Sequence, residues 1–135
     1  MQRTLTDHIL PGVMAGAIQV VAIDKPGAGG ASHHYELRVN QGPARGVATT
    51  RIDFQEGAIG KPEDVNGITN EALLTIVLDR LRGFNGDLEA KTGVGGAFKS
   101  RDNALAITHL EDALLRLQHR TIERMGRGVE GQHTA

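Results

Sequence analysis

The chain has 135 residues, no cysteine and a formal net charge of −1. The length suits one domain with a modest core, and the missing cysteines exclude disulfides, thiolate metal sites and thiol redox chemistry. The near-zero charge argues against general binding of a nucleic-acid polymer, which needs a basic surface, but a local cluster of arginines would still hold a small anion.

The N-terminal stretch MQRTLTDHILPGVMAGAIQVVAI is apolar, yet Asp7, His8 and Pro11 interrupt it and its basic start is weak. It does not read as a signal peptide, and no apolar run reaches membrane-spanning length. Strand patterns come next. AIQVVAI (17–23) is a β-branched run, and PGAGGAS is a turn. HHYELRV (33–39) sets Tyr35, Leu37 and Val39 against His34, Glu36 and Arg38, as a half-buried hairpin strand would. NQGPARG (40–46) is a second turn. VATTRIDFQ (47–55) alternates Ile52 and Phe54 with Arg51, Asp53 and Gln55, which predicts a third strand, and EGAIGKPEDVNG is loop.

The second half reads as helix. Thr69 is a plausible N-cap, and NEALLTIVLDRLRGF repeats Leu73, Val77, Leu81 and Phe84 on one face. A glycine-rich connection, GFNGDLEAKTGVGGAFKS, leads to Ser100, which opens a long helix. Its apolar stripe is Ile107, Leu110, Leu114, Leu117 and Met125, and Gly126 and Gly128 end it. The expected fold is α+β: a small antiparallel β-sheet in the N-terminal half followed by a two-helix hairpin. One domain is expected, with residues 1–64 β-rich, 65–128 forming the hairpin and 129–135 a loose tail. The long apolar stripe predicts a homo-oligomer.

Four arginines crowd the end of the second helix. At about 100° per residue, with Arg116 at zero, Arg120 falls near about 40°, Arg124 near about 80° and Arg127 near about 20°. They border the apolar stripe. Asp112 and Glu123 stand four residues before Arg116 and Arg127, the favoured spacing for helical ion pairs. Arg120 and Arg124 lack such an acid, and their planar donor forks match phosphate oxygens. These two are candidates for an outside anion, set against the reading of a solvated, ion-paired face.

Other chemistry is sparse. Adjacent strand residues point to opposite faces, so His33 and His34 are poorly placed to share a metal. G-x-x-x-x-G-K-[ST] does not occur, the glycines at 93, 95 and 96 follow a helix and a loop rather than a strand, and the one G-x-G-x-x-G spacing, Gly126 to Gly131, ends a helix instead of linking a strand to one. Ser100 has no evident histidine and acid partners, and no carboxylate spacing marks an acid–base pair. Phe84 and Phe98 bracket the inter-helix connection, as core residues or as stacking platforms for a base. Asn103 carries both donor and acceptor, as a terminal helix residue or as a contact to a base or ribose.

VNGITNEALLTIVLDRLRGF and RDNALAITHLEDALLRLQHRTIERMGRGVEGQHT resemble the phage Thoeris anti-defence protein 1 family, whose helical hairpin is shared with the anti-CBASS protein 2 family. HYELRV and RIDFQEG extend the likeness into the sheet. The resemblance implies a sponge rather than an enzyme, acting in the cytoplasm of the infected bacterium without cofactor, metal or membrane. It would bind cyclic ADP-ribose isomers made by TIR-domain proteins and keep the effector off. Some members assemble as dimers or hexamers, and some hold cyclic di- or trinucleotides at separate sites. The family's pocket falls on Phe84 for adenine stacking, Asn103 for polar contact, and Arg120 and Arg124 for phosphates. Phe98 is a second stacking candidate, and Arg116, Arg127, Asn66 and Thr69 are further ligand-binding candidates. The chain departs from the family in one place. The family's connection is short, approximately F-x-x-G-P-F-x-C-R-E-N, and here GDLEAKTGVGGA lengthens it. The competing functions are a cyclic-nucleotide-degrading enzyme using His33, His34 and His109, and a nucleic-acid-binding or structural phage protein.

Overall fold

The structure is a computed structural model that describes residues 2–12 and 16–126, with side chains as far as Glu123. Arg127, Gly128 and the tail from 129 lie outside the described residues, as do the side chains of Arg124 and Met125. The chain divides into two compact units between Ile68 and Thr69.

The first unit is a four-stranded antiparallel sheet in sequence order: β1 (Arg3–Leu5), β2 (Ile18–Ala22), β3 (His34–Asn40) and β4 (Val47–Asp53). The three strands expected from the alternation are present. β1 is an addition, because three residues with one apolar side chain carry no readable period; its partner β2 recruits it, pairing Arg3 with Ala22 and Leu5 with Val20. The register puts Ile18, Val20 and Ala22 opposite Val39, Leu37 and Tyr35, and these in turn opposite Ala48, Thr50 and Ile52. Directly paired residues share a face, so one face is apolar and the other carries His34, Glu36, Arg38, Arg51 and Asp53. Tyr35 also meets Phe54 edge-on, 5.7 Å between centroids.

The alternation in 33–39 predicts one covered face and one open face. In fact both faces of β3 are half-buried from His34 to Val39. The polar face is screened by its own ion pairs: Arg38 donates to Glu36 at 2.8 Å, Arg51 to Asp53 at 2.8 Å, and His34 Nδ1 lies 2.6 Å from Asp53. His34 Nε2 also reaches Glu56 at 3.3 Å. A neutral imidazole has one N–H and serves one of these carboxylates; the imidazolium serves both. The Asp53 hydrogen bond is the main cause that raises the His34 pKa above its ordinary value, with Glu56 adding to it. Asp53 is held below the usual carboxylate range, first by Arg51 and then by His34. Asp24 caps the entry to β3, accepting from the His33 and His34 amides at 2.9 and 3.1 Å, and the His33 amide chiefly lowers its pKa.

After β4 the chain loops out and returns beside itself. Phe54 bridges Ile68 in parallel, Gln55 N donates to Ile68 O at 2.9 Å, and Ile68 N donates to Asp53 O at 2.9 Å. Gly67 is required for this approach: a Cβ there would stand 2.4 Å from the Phe54 carbonyl carbon and 2.6 Å from Asp53 O. Side-chain amides lock the same loop. Asn66 accepts from Glu56 N at 2.8 Å and donates to Glu56 O at 2.8 Å, and Gln55 accepts from Asn66 N at 2.9 Å.

The second unit is a helical hairpin of α1 (Asn70–Asn85) and α3 (Arg101–Gly126), with the one-turn α2 (Glu89–Thr92) inside the connection. Thr69 caps α1, its hydroxyl accepting from Ala72 N at 3.1 Å. Gly86 ends α1 in the left-handed region, φ 89°, where its N–H reaches back to the Arg82 and Gly83 carbonyls. Three of the four residues expected on the packed stripe of α1, Leu73, Leu81 and Phe84, are half-buried. Leu78 is its centre at 1% exposure, flanked by half-buried Leu74 and Leu81, whereas Val77 is 41% exposed. α1 has apolar residues on two faces, so periodicity alone does not choose between them. On α3, Ile107 is buried and Leu110, Leu114 and Leu117 are half-buried, as expected. Arg82 joins Glu111 across the pair at 2.8 Å. No helix of the described residues is long and apolar enough to cross a membrane.

Two outcomes follow from the first unit. Gly67→Ala forces backbone apart and costs about 1–3 kcal/mol, read as a lower urea midpoint. His34 contributes stability that is fully present below pH 6.5 and lost as pH rises through its raised pKa. The Asp53 contribution is present above pH 3.8 and lost as pH falls through its lowered pKa. Thermal melts across pH should therefore show the wild-type advantage over His34→Gln shrinking on the alkaline side; a constant difference is the contrary result.

Candidate functional site

The sequence-designated residues fall into two groups at opposite ends of the hairpin. Phe84 closes α1, Phe98 ends the connection and Asn103 lies in the first turn of α3. Their rings meet edge-on, with centroids 5.4 Å apart and planes at 73°. Phe98 N donates to Phe84 O at 3.2 Å, Asn103 Nδ2 donates to Phe98 O at 2.8 Å, and Ser100 N donates to Asn85 Oδ1 at 3.3 Å. Ser100 caps α3 by accepting from Asn103 N at 3.0 Å. Phe98 is thereby fixed at both its N–H and its carbonyl while its ring stays open, 66% exposed. Phe84 is half-buried, and the Arg80 guanidinium rests over its ring, 4.9 Å from the centroid.

Glycines make this end tight. Gly95, at φ 146°, lies where a Cβ would meet Gly83 O at 3.1 Å and Gly86 Cα at 3.4 Å. The lengthened connection is thus folded against the end of α1. Gly96 N donates to Gly83 O at 3.2 Å, two residues before the anchored Phe98.

The other group is on the last turns of α3. Arg116 is 79% exposed and bound to Asp112 at 3.2 Å, the ion pair that the spacing predicts. Arg120 is exposed, and no described acid lies within ion-pair distance of it; Glu123 instead faces His119 at 3.5 Å. Arg124 is in the same helix with its side chain outside the described part, and Arg127 lies outside it altogether, so its expected pairing with Glu123 is not described.

α3 is one uninterrupted helix from Arg101 to Gly126. At 1.5 Å per residue, Arg120 stands about 25 Å along the axis from Asn103, and Arg124 about 30 Å. The aromatic group and the arginines of one hairpin therefore do not surround one small ligand. Thr69 and Asn66 form neither group: the Thr69 hydroxyl caps α1, and both ends of the Asn66 amide bind the backbone of Glu56. His33 bonds the Ala28 carbonyl at 2.9 Å, and among the described residues no cluster of histidine and acid side chains is arranged to hold a metal ion. Arg80 was not singled out by sequence, although its spacing of four from Phe84 was a usable signal.

Residues 47–121 match the family described as Acb2/Tad1, hairpin domain. A protein of Bacillus phage SBSphiJ7 named Thoeris anti-defense 1 is 42% identical over 82 residues, which cover 61% of this chain and 51% of that relative. The chain therefore spans about half the length of the curated relative it matches.

Proposed function

With more than half of its length matched to the Acb2/Tad1 hairpin, the chain belongs to that family, and we propose that it serves a phage by capturing a cyclic ADP-ribose-type immune signal without turning it over. The relative named for anti-defence supports the phage role. One observation carries the binding reading: an open, doubly anchored aromatic ring at one end of the hairpin, and at the other Arg120, exposed and with no acid partner among the described residues. A base stacks on an aromatic face whatever its edge pattern. A diphosphate takes two-pronged hydrogen bonds from guanidinium groups.

The separation of about 25 Å makes the site a property of two copies. Phe98, Phe84 and Asn103 of one copy face Arg120 and Arg124 of another, so that a symmetric pair has two equivalent sites. Apolar residues left on the helix surfaces support such pairing: Ile76, Leu115 and Ile122 are all well exposed. Phe98 is the stacking surface here, because Phe84 already carries a guanidinium on its ring. Thr69 and Asn66 are left to the fold. Cyclic di- or trinucleotides, if they bind, take a site apart from this one.

A capture-and-release assay tests the function. Protein is mixed with excess cyclic ADP-ribose isomers, filtered and heated, and the released ligand is identified by mass spectrometry. Intact isomer at about one per subunit is expected, as for a site repeated in each copy of a symmetric pair. Hydrolysed product, or depletion of ligand beyond one equivalent, would establish an enzyme instead. Arg120→Ala should weaken capture by about 1.5–3 kcal/mol, the worth of hydrogen bonds to a charged group. Phe98→Ala should cost about 1–3 kcal/mol.

The shared site has its own test. Phe98→Ala and Arg120→Ala chains are each expected to capture poorly. Mixed and allowed to exchange, they should regain about a quarter of wild-type capacity, since random pairing makes half the dimers mixed and each of those has one intact site. A mixture no better than its components would place the whole site within one chain.

A further inference from the structure

We propose that Arg80 is a ligand contact, the cation that the aromatic end of the hairpin itself supplies to the diphosphate of a cyclised dinucleotide. This rests on the capture reading above and extends it to a residue outside the arginine stripe.

How the guanidinium is held is the reason. Arg38, Arg51, Arg82 and Arg116 each direct an N–H to a carboxylate, at 2.8, 2.8, 2.8 and 3.2 Å. Each of these has at least one N–H committed to a carboxylate. Arg80 is held by the flat of its group over the Phe84 ring. Stacking uses the face of a guanidinium and leaves the N–H groups around its edge available. Among the described residues no acid lies within ion-pair distance of Arg80.

Its surroundings on α1 exclude a local partner. The residues three and four away are Ile76, Val77, Gly83 and Phe84, so α1 places no acid at the spacings that pair on a helix, and Asp79, next in sequence, points about 100° away. At about 100° per residue Arg80 falls between Ile76 and Phe84, on a side of α1 where Ile76 and Val77 are exposed. A charge in the middle of such a side is costly to cover unless its partner arrives with the cover. A dianionic ligand is that partner.

Reach is satisfied too. Arg80 lies over Phe84, and Phe84 touches Phe98. Arg80, Phe84 and Phe98 therefore form one run of contacts, and a base on Phe98 would lie at the same end of the hairpin as the Arg80 guanidinium. In a cyclised dinucleotide the base and the diphosphate belong to one closed ring, which keeps the phosphates near the base. The diphosphate would be gripped from two sides: by Arg80 of the copy that stacks the base, and by Arg120 and Arg124 of the other.

The test uses the full chain and a cyclic ADP-ribose isomer that the wild type captures, titrated at low and high salt. Arg80→Met keeps a side chain over the ring and removes the charge; it should bind about tenfold more weakly, with a flatter salt dependence. Arg80→Lys keeps the charge without the fork and should fall between. Melting curves are expected to match wild type. Binding by Arg80→Met at wild-type strength, while Arg120→Ala still loses it, overturns the proposal and leaves the capture reading in place. Weaker binding with unchanged salt dependence also overturns it, because that is loss of packing alone. If wild type captures no isomer, the capture reading fails and this proposal fails with it.

Discussion

The length of α3 is the constraint on which the site depends. A continuous helix cannot fold back, so every residue placed along it has a fixed axial distance from every other. Asn103 and Arg120 are both on this helix, and helix rise sets them about 25 Å apart. No rotamer change closes that gap. The groups suited to a nucleotide's base and those suited to its phosphates are therefore separated within each hairpin. The proposed pairing of two copies removes the conflict without bending the helix.

At the aromatic end, rigidity comes from backbone rather than from a large core. The inserted connection is long, and a long loop of small residues would usually hold a side chain loosely. Here the close approach of Gly95 and Gly96 to Gly83 and Gly86 fixes its path, and hydrogen bonds at the Phe98 N–H and carbonyl fix its end. Asn103 is consequently bound to its own loop through its side-chain amide and shapes the platform. An exposed aromatic ring that is positioned in advance loses little conformational freedom on binding. Arg80 belongs to this preorganised end, because the Phe84 ring orients it.

In the first unit the comparable role falls to charge. The four-stranded sheet has few fully buried side chains, Val21 and Ala22 among them. Ion pairs along its polar face cover what a packed helix would cover elsewhere. His34 ties β4 to the segment beyond it through Asp53 and Glu56, and Gln55, Asn66 and Gly67 close that segment onto the end of β4. Individually such exposed pairs are worth little; together with the tight Gly67 approach they define one path for the chain from β4 to Ile68.

The sequence by itself determined the α+β class, the three longer strands, both long helices with their Thr69 and Ser100 caps, and the Asp112–Arg116 pair. These follow from local periods and short-range spacing, which act within a few residues of chain. The resemblance also drew attention to Phe84, Asn103 and Arg120. The tertiary structure alone decided that Leu78 is the buried centre of α1 while Val77 stays open, since both are apolar and only the partner helix selects between them. It decided that β1 exists, because three residues pair only when a neighbouring edge is offered. It decided that Phe98 is open while Phe84 is covered by Arg80, and that Asn66 is spent on Glu56. Those outcomes depend on contacts between residues far apart in sequence, and a one-dimensional pattern carries no measure of distance between them.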